Sequence, residues 1–319
     1  MTVGTSVRVR SPASSANLGP GFDCIGLALG VWDELDFLVT AEPTLRIEPT
    51  GAGADEVPRD ASHLVYRSFV RALSDNGFGP PAGLRLQTRN AVAHGRGMGS
   101  SATAITAGVS AAHALIALSD GSTGATTPIG EPVSIDLAAV NNLSSELEGH
   151  PDNASAAVYG GLTVSWTADP GDPDEGTTRT ARLVLHPRVV AVLFVPEATL
   201  ATHTARALLP DRVPLRDAAA NAARAALFVE AATHRPELLV PATRDWLHQE
   251  ARRPSYAASM ALVDRLRAAG HAATISGAGP SVLALTTRDR ADDARAGDDQ
   301  WRRLTPGVPE CGVSAVRLG

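Results

Sequence analysis

The chain has 319 residues, 44% of them hydrophobic, with 29 glycines and a formal net charge of −6. At roughly 150 residues per domain this is about two domains, with ample length to bury a core without disulfide or metal staples. The acidic balance argues against a generic nucleic-acid surface, and all 28 basic residues are arginine. With no lysine, Schiff-base, Walker-A and protein-kinase strand-lysine chemistries are excluded, and any phosphate chemistry must rest on backbone N–H groups, arginine and metal. Cys24 and Cys311 form no C-x-x-C pair and fit a reduced compartment. The N-terminal residues lack the apolar h-region of a secretory signal. The nearest candidate for a membrane helix, 102–118, is alanine-rich, contains His113 and reads as a buried helix. A soluble, cytoplasmic protein with no membrane or nucleic-acid partner is expected, and a homodimer is a compatible assembly.

Taken in chain order, residues 6–10 alternate and predict a strand, followed by a stretch dense in small and turn residues. Strands are predicted at 34–39, 45–48 and 84–88, a loop at 51–60, and a helix at 64–76 stopped by Asn76-Gly77. A long alanine-rich helix follows at 102–118, then a Gly/Thr/Pro-rich loop at 121–132 and a helix at 135–148 capped by Ser134 or Asp136. After a short helix and Gly160-Gly161 come a strand at 162–166 and a flexible connection at 169–178. The continuous apolar run 189–195 predicts a buried strand. Helical patterns occupy 202–208, 215–233, 236–247, 255–269 and 289–304, with short strands at 272–275, 281–286 and 312–318. Mixed rather than alternating elements argue for an α+β fold.

Three segments carry candidate chemistry. In Gly95-Arg96-Gly97-Met98-Gly99-Ser100-Ser101-Ala102-Thr103 the glycines permit positive φ and close backbone approach, two hydroxyls follow, and a helix opens. A helix N-terminus offers unpaired N–H groups and partial positive charge, which suits a phosphate. Ser100 and Ser101 suit a helix cap, a phosphate or a metal. Read alone, the segment favours phosphate over a plain turn, and it is not a Walker-A loop. In Glu146-Leu147-Glu148-Gly149-His150-Pro151-Asp152-Asn153 the two glutamates lie two apart, so at most one faces a site. One or two carboxylates suit Mg²⁺, and Asp152 or His150 suits a base within reach of a hydroxyl. Alone, this stretch is better explained as a solvated helix end. Ser276-Gly277-Ala278-Gly279-Pro280-Ser281, between two apolar strands, suits a ligand-approaching turn and a plain loop equally. Near the N-terminus, Asn17 and Asp23 sit among glycines. Asp23 could hold a substrate ammonium, although both residue types also simply make turns.

In this order, S-S-A-N-L-G-P-G-F-D-C-I-G-L-A-L at 14–29, the glycine-serine loop, E-L-E-G-H-P-D-N at 146–153 and I-S-G-A-G-P-S at 275–281 resemble the GHMP kinase superfamily and, within it, the homoserine kinase family. The resemblance extends from about residue 7 to 285. It implies a two-domain α+β fold, with an N-terminal domain over 1–168, a ferredoxin-like C-terminal domain over 169–319, and the active site in the cleft between them. It implies transfer of the γ-phosphoryl group of ATP to the hydroxyl of L-homoserine, with Mg²⁺, on the route to threonine. Residues 93–103, from Ala93 and His94 through Thr103, would wrap the ATP phosphates, with Gly277 and Gly279 nearby. Ser101 and Glu148 would hold the metal. Asn17, Asp23, His150 and Asn153 would line the substrate pocket beside Asp152.

Thr202-His203-Thr204-Ala205-Arg206 resembles the family's T-x-x-A-R, whose arginine binds the substrate carboxylate. His248-Gln249-Glu250-Ala251-Arg252 resembles H-Q-x-Y-R and supplies a second arginine, with Ala251 in place of the tyrosine. Ala93, Met98 and Thr103 stand where the family usually has proline, leucine and alanine; the glycines and serines remain. Positioning and charge neutralisation, rather than a strong base, suit a loose phosphoryl-transfer transition state. The alternatives are a GHMP kinase for a mevalonate-like or sugar substrate, which would leave Asp23 without a cationic partner, or an inactive nucleotide-binding relative.

Overall fold

The computed structural model of the chain describes residues 1–119, 127–200, 205–297 and 299–319. Its first half holds strands β1 (Ser6–Asn17), β2 (Gly21–Thr40), β3 (Leu45–Gly51), β4 (Gly83–Asn90), β5 (Leu162–Thr167) and β6 (Thr178–Leu183). Four helices accompany them: α1 (Leu64–Asp75), α2 (Ser100–Ser119), α3 (Leu137–Glu148) and α4 (Pro151–Tyr159). The second half holds β7 (Val189–Pro196), α5 (Leu215–Thr233), the short α6 (Leu239–Ala242) and α7 (Gln249–Arg252), α8 (Ala257–Ala268), β8 (Ala272–Ile275), β9 (Val282–Thr287), β10 (Trp301–Leu304) and β11 (Ser314–Arg317).

One sheet runs in the order β11-β1-β2-β4-β3, with β5 added on β2 and β6 on β5. Its pairs are antiparallel except β3–β4, which α1 connects as a parallel crossover. The other sheet is fully antiparallel, ordered β10-β7-β9-β8. Counted from β7, that is the fourth, first, third and second strand, the ferredoxin-like arrangement expected. The fold is α+β, as the mixed pattern predicts. Sheet membership does not divide at residue 168, because β6 and β11 both join the first sheet.

Three apolar clusters hold these layers. Helices α1 to α3 cover the first sheet through Phe37, Phe69, Leu73, Leu86 and Leu115. Helix α2 is long and apolar enough to span a membrane, but 67% of its most apolar window is buried as this core. Strand β7 explains its own continuous apolar run: Ala191, Leu193 and Val195 face a core shared with Leu18, Ile25 and Leu27 of the N-terminal hairpin, while Val192 and Phe194 face α8. The shared core ties the hairpin to the second sheet.

Several expectations are corrected. The small-residue stretch after residue 10 continues β1 as far as Asn17, paired with β2 through register shifts at Pro12/Ala13 and Ala16/Asn17, and turns only at 18–20. Its smallness serves packing: a Cβ at Gly19 would lie 2.3 Å from the Thr243 carbonyl oxygen. Residues 169–177 are not a linker; they close the antiparallel β5–β6 pair. The helix predicted at 289–304 is a 3₁₀ turn, Arg288–Asp293, followed by β10, and Gly297 (φ 83) lies between them. The helix predicted at 236–247 breaks after Ala242. Residues 121–126 of the predicted loop and 202–204 of the predicted helix lie outside the described residues.

Candidate active site

The β1–β2 turn builds one wall. Asn17 (φ 70), Leu18 (φ 45) and Asp23 (φ 57) all adopt the left-handed region, which side chains other than glycine rarely occupy outside functional segments. Asn17 holds the turn with both ends of its amide: Oδ1 accepts from the Asp23 N–H at 3.0 Å, and Nδ2 donates to the Gly277 carbonyl at 3.1 Å. Asp23 is thereby fixed in the wall of a cleft.

The floor is the N-terminus of α2. Gly95, Gly97 and Gly99 have φ of 62, 70 and 68°. The close approach that Gly97 and Gly99 permit is to the protein itself. A Cβ at Gly97 would lie 2.2 Å from the Ser276 carbonyl oxygen, and one at Gly99 2.2 Å from Ser14 Oγ. The segment 276–281 clasps this loop: Ser276 Oγ donates to the Gly97 carbonyl at 2.5 Å, and the Ser281 N–H to the Arg96 carbonyl at 3.3 Å. Gly97→Ala is expected to destabilise the fold by about 2–4 kcal/mol through left-handed strain plus overlap with backbone. Urea denaturation checks this; wild-type stability would show that 276–281 does not clasp the loop.

Against this floor lies the α3–α4 corner. Gly149 (φ 84) ends α3 in the left-handed conformation and Pro151 starts α4. The sharp turn brings Glu148, His150, Asp152 and Asn153 to one cleft. Glu146 instead reaches the surface and pairs with Arg71 at 2.7 Å. Ser101 Oγ donates to Glu148 Oε1 at 2.5 Å. Burial pushes the Glu148 carboxyl up, against the Ser101 hydrogen bond that favours its charged form. Asp152 Oδ1 lies 2.8 Å from His150 Nδ1 and accepts from the Asn153 N–H at 2.7 Å. Burial opposes the His150 imidazolium, but the Asp152 hydrogen bond and charge, with Glu148, outweigh it and raise the ring's pKa. Asn153 Oδ1 accepts from Ser14 Oγ at 2.9 Å. Asp23, His150 and Asp152 bring ligand atoms within 4.8 Å of one another. Asp23 is already bonded to Arg206, and Asp152 to His150 and the Asn153 amide, so both carboxylates of this group have protein partners.

Two arginines complete the cleft. Arg206 forks onto Asp23, with Nη1–Oδ2 at 3.0 Å and Nη2–Oδ1 at 2.6 Å. Arg252 is buried and donates from Nε to the Ala205 carbonyl at 3.0 Å. Burial lowers its pKa, and the neighbouring Arg206 charge adds to this; a guanidinium nonetheless stays protonated. Both Cζ atoms lie 5.6 Å from the centroid of Phe22, whose ring packs 5.2 Å from that of His248. Asp245 accepts the Leu247, His248 and Gln249 N–H groups at 2.9, 3.0 and 2.7 Å, opening α7. His248 Nε2 sits 2.8 Å from the Gly19 carbonyl and Gln249 Oε1 accepts the Ile275 N–H at 2.7 Å. Thus 248–252 couples the β1–β2 turn, β8 and Arg252.

A second, more apolar cavity adjoins Ser100 and Ser101, lined by Leu35, Val57, Pro58, Val65, Asp33, His63 and His94 among others. His63 is buried and its Nδ1 has no partner among the described residues. Asp33 accepts the Ala91 and Val92 N–H groups at 2.7 and 2.9 Å, yet burial raises its carboxyl from 3.8 to about 6. The native state therefore holds this proton more tightly than the unfolded chain. Its contribution to stability is fully present below about pH 4 and is lost as the pH rises through about 6. Asp33→Asn, whose Oδ1 keeps both backbone bonds, is expected to be more stable than wild type at pH 8 by up to about 3 kcal/mol. The difference should vanish towards pH 4. Thermal melts across pH check it; a constant difference would place the cause elsewhere.

Of the residues singled out in the sequence, the cleft gathers Asn17, Asp23, Gly95, Gly97, Met98, Gly99, Ser100, Ser101, Glu148, His150, Asp152, Asn153, Arg206, Arg252 and Gly277. Several others have side chains engaged in the fold. Ala93 packs against the shared core, and Ala102 is fully buried in α2. Arg96 donates to the Pro196 and Glu197 carbonyls, and Thr103 Oγ1 to the Pro12 carbonyl. A Cβ at Gly279 would meet Ile275 and Tyr256. His94 lines the second cavity. Thr202 lies outside the described residues. Phe22, His63 and Asp33 were not singled out. Phe22 lay inside the quoted N-terminal motif, whereas nothing local marks the other two.

Comparison with known proteins agrees with this layout. The family described as GHMP kinases N terminal domain matches residues 63–161, and GHMP kinases C terminal matches 218–297. A homoserine kinase of Streptomyces coelicolor is 47% identical over 315 residues, covering 98% of this chain and 95% of that one. One of Streptomyces avermitilis is 48% identical over 314 residues, covering 98% and 96%. The chain belongs to the homoserine kinase family of GHMP kinases. The crystal structure of homoserine kinase from Cytophaga hutchinsonii shares the fold at a TM-score of 0.81 and 23% identity, covering 99% of each chain. Within this GHMP kinase fold, the glycine loop, the α3–α4 corner and the two arginines meet in one cleft although they lie far apart in the chain.

Proposed function

We propose that this chain transfers the γ-phosphoryl group of ATP to the side-chain hydroxyl of L-homoserine, giving O-phospho-L-homoserine. One observation carries the reading. A cleft that opens on a helix N-terminus also holds Asp23, Arg206 and Arg252, groups matched to an amino acid's ammonium and carboxylate.

Nucleotide phosphates suit the α2 N-terminus, where backbone N–H groups and the helix dipole favour negative charge. The apolar cavity beside Ser100 and Ser101 suits the base of the same nucleotide. Ser101 and Glu148 fit Mg²⁺. They form an oxygen-only pair, and burial leaves the carboxylate short of compensating charge, which a hard cation supplies. When bound, that ion offsets charge on the phosphates. Arg206 and Arg252 would take the substrate carboxylate and Asp23 its ammonium, which orients the hydroxyl toward the phosphate end of the cleft. The His150–Asp152 pair lies where the departing hydroxyl proton could be accepted. Positioning and electrostatics supply most of the rate in such a scheme. The two sheets support a two-domain organisation, 1–168 and 169–319, with β6 and β11 returning to the first. A cytoplasmic location, where ATP is available, fits this reading.

A coupled ADP-release assay over homoserine, mevalonate and galactose, with and without Mg²⁺, tests it. Magnesium-dependent turnover with homoserine alone is expected. Turnover with mevalonate or galactose instead would indicate another GHMP small-molecule kinase, and none with any acceptor an inactive nucleotide-binding relative.

A further inference from the structure

The groups assigned to opposite ends of the substrate are, in this structure, bonded to each other. Arg206 presents its Nη1 and Nη2 edge to both oxygens of Asp23 at 3.0 and 2.6 Å. A guanidinium fork meets a carboxylate through such an edge. Arg206 therefore cannot grip a ligand carboxylate with this edge while it grips Asp23. Arg252 stands beside it on the same Phe22 ring, with its Nε committed to the Ala205 carbonyl. A carboxylate that takes this edge of Arg206, beside Arg252, displaces Asp23, and Asp23 is then left as an anion in a half-buried cleft.

We propose that the Asp23–Arg206 pair makes the cleft selective for zwitterions by ion-pair exchange. This rests on the amino-acid kinase reading above and adds to it a reason for discrimination. A hydroxy acid without an amine breaks one ion pair to form another, so Arg206 contributes almost nothing to its net affinity. A zwitterion breaks the same pair and forms two, one on Arg206 and one on Asp23. Selectivity then comes less from extra attraction to the ammonium than from the internal bond that a lone carboxylate must replace.

The account differs from simple ammonium recognition in one respect. If Asp23 only attracted the amine, removing its charge would leave an amine-free analogue unaffected. If Asp23 also competes for Arg206, removing its charge frees the guanidinium, and the analogue binds tighter. Asp23→Asn suits the test because asparagine is among the residues best tolerated at the φ of 57° found here. It keeps the shape but not the charge.

Isothermal titration with L-homoserine and with 4-hydroxybutanoate, on wild type and Asp23→Asn at one ionic strength, reads the effect. On Asp23→Asn, 4-hydroxybutanoate is expected to tighten about fivefold or more while homoserine stays within about threefold of wild type, so that the preference for the zwitterion collapses. A second arm needs no variant. Methylammonium, against an equal concentration of sodium, should strengthen 4-hydroxybutanoate binding to wild type by filling Asp23 once Arg206 has turned away. It should have no such effect on Asp23→Asn. Equal binding of 4-hydroxybutanoate to both proteins, binding to neither, or no methylammonium effect on wild type overturns the proposal. Homoserine turnover by wild type, measured in parallel, judges the functional reading separately.

Discussion

Glu148→Gln is expected to lower kcat by about 100-fold, to shift the Mg²⁺ titration to higher concentration, and to leave the homoserine KM within about threefold. The substitution is nearly isosteric. The glutamine oxygen can still accept the Ser101 hydroxyl, now 2.5 Å from Glu148 Oε1, so the α2–α3 contact survives. What is lost is a full negative charge that burial already disfavours and that a divalent cation would stabilise. The effect should therefore fall on the metal-dependent step and spare the fold. Initial rates across Mg²⁺ concentration check it. A wild-type titration curve would remove Glu148 from the metal site.

Arg206→Ala is expected to raise the homoserine KM by about tenfold while the ATP KM stays within about threefold. The asymmetry follows from position. Arg206 lies over Phe22 and against Asp23, with no hydrogen bond to the glycine loop or the first turn of α2 among those of the described residues. Truncation removes one of the two guanidiniums on the carboxylate, a loss offset in part because Asp23 no longer gives up an internal partner when it takes the ammonium. Arg252 cannot replace it fully, because its Nε is held by the Ala205 carbonyl. Steady-state kinetics with each substrate varied in turn separate the two constants. An unchanged homoserine KM would contradict the assignment, and an equal rise in both would point to a general collapse of the cleft.

The parts of the site legible in the sequence are those whose chemistry is local. Glycines, two serines and an alanine-rich run announce a phosphate-binding helix start because all three features act within one turn of backbone. The pairing of Gly149 with Pro151 likewise marks the corner that delivers Glu148 and His150. Arg206 and Arg252 are different. Each is one of 28 arginines, and the Asp245-capped turn, the Arg252–Ala205 hydrogen bond and the shared Phe22 ring, all products of tertiary packing, bring them together. Family resemblance located them; periodicity could not.

The fold shows the same division. Helices α1, α2 and α5 were readable from their apolar spacing and stops. Strand β6 was not, because Thr178, Arg179, Thr180, Ala181, Arg182 and Leu183 form a largely exposed edge strand with no apolar face to betray it. The serine-rich half of β1 looks turn-rich in sequence because small polar residues usually make turns, whereas here they keep backbone distances short against α2 and α4. Asp33 and His63 enter the second cavity from β2 and from the residue before α1, a juxtaposition no short window contains.

Cocrystallisation with a nonhydrolysable ATP analogue, Mg²⁺ and L-homoserine tests the account most directly. It predicts the triphosphate along the amides of Gly95 to Ser101, the metal on Ser101 and Glu148, and the amino acid with its carboxylate at Arg206 and Arg252 and its hydroxyl facing the γ-phosphate. A triphosphate bound away from the α2 N-terminus, or homoserine turned with its hydroxyl toward the arginines, would contradict it.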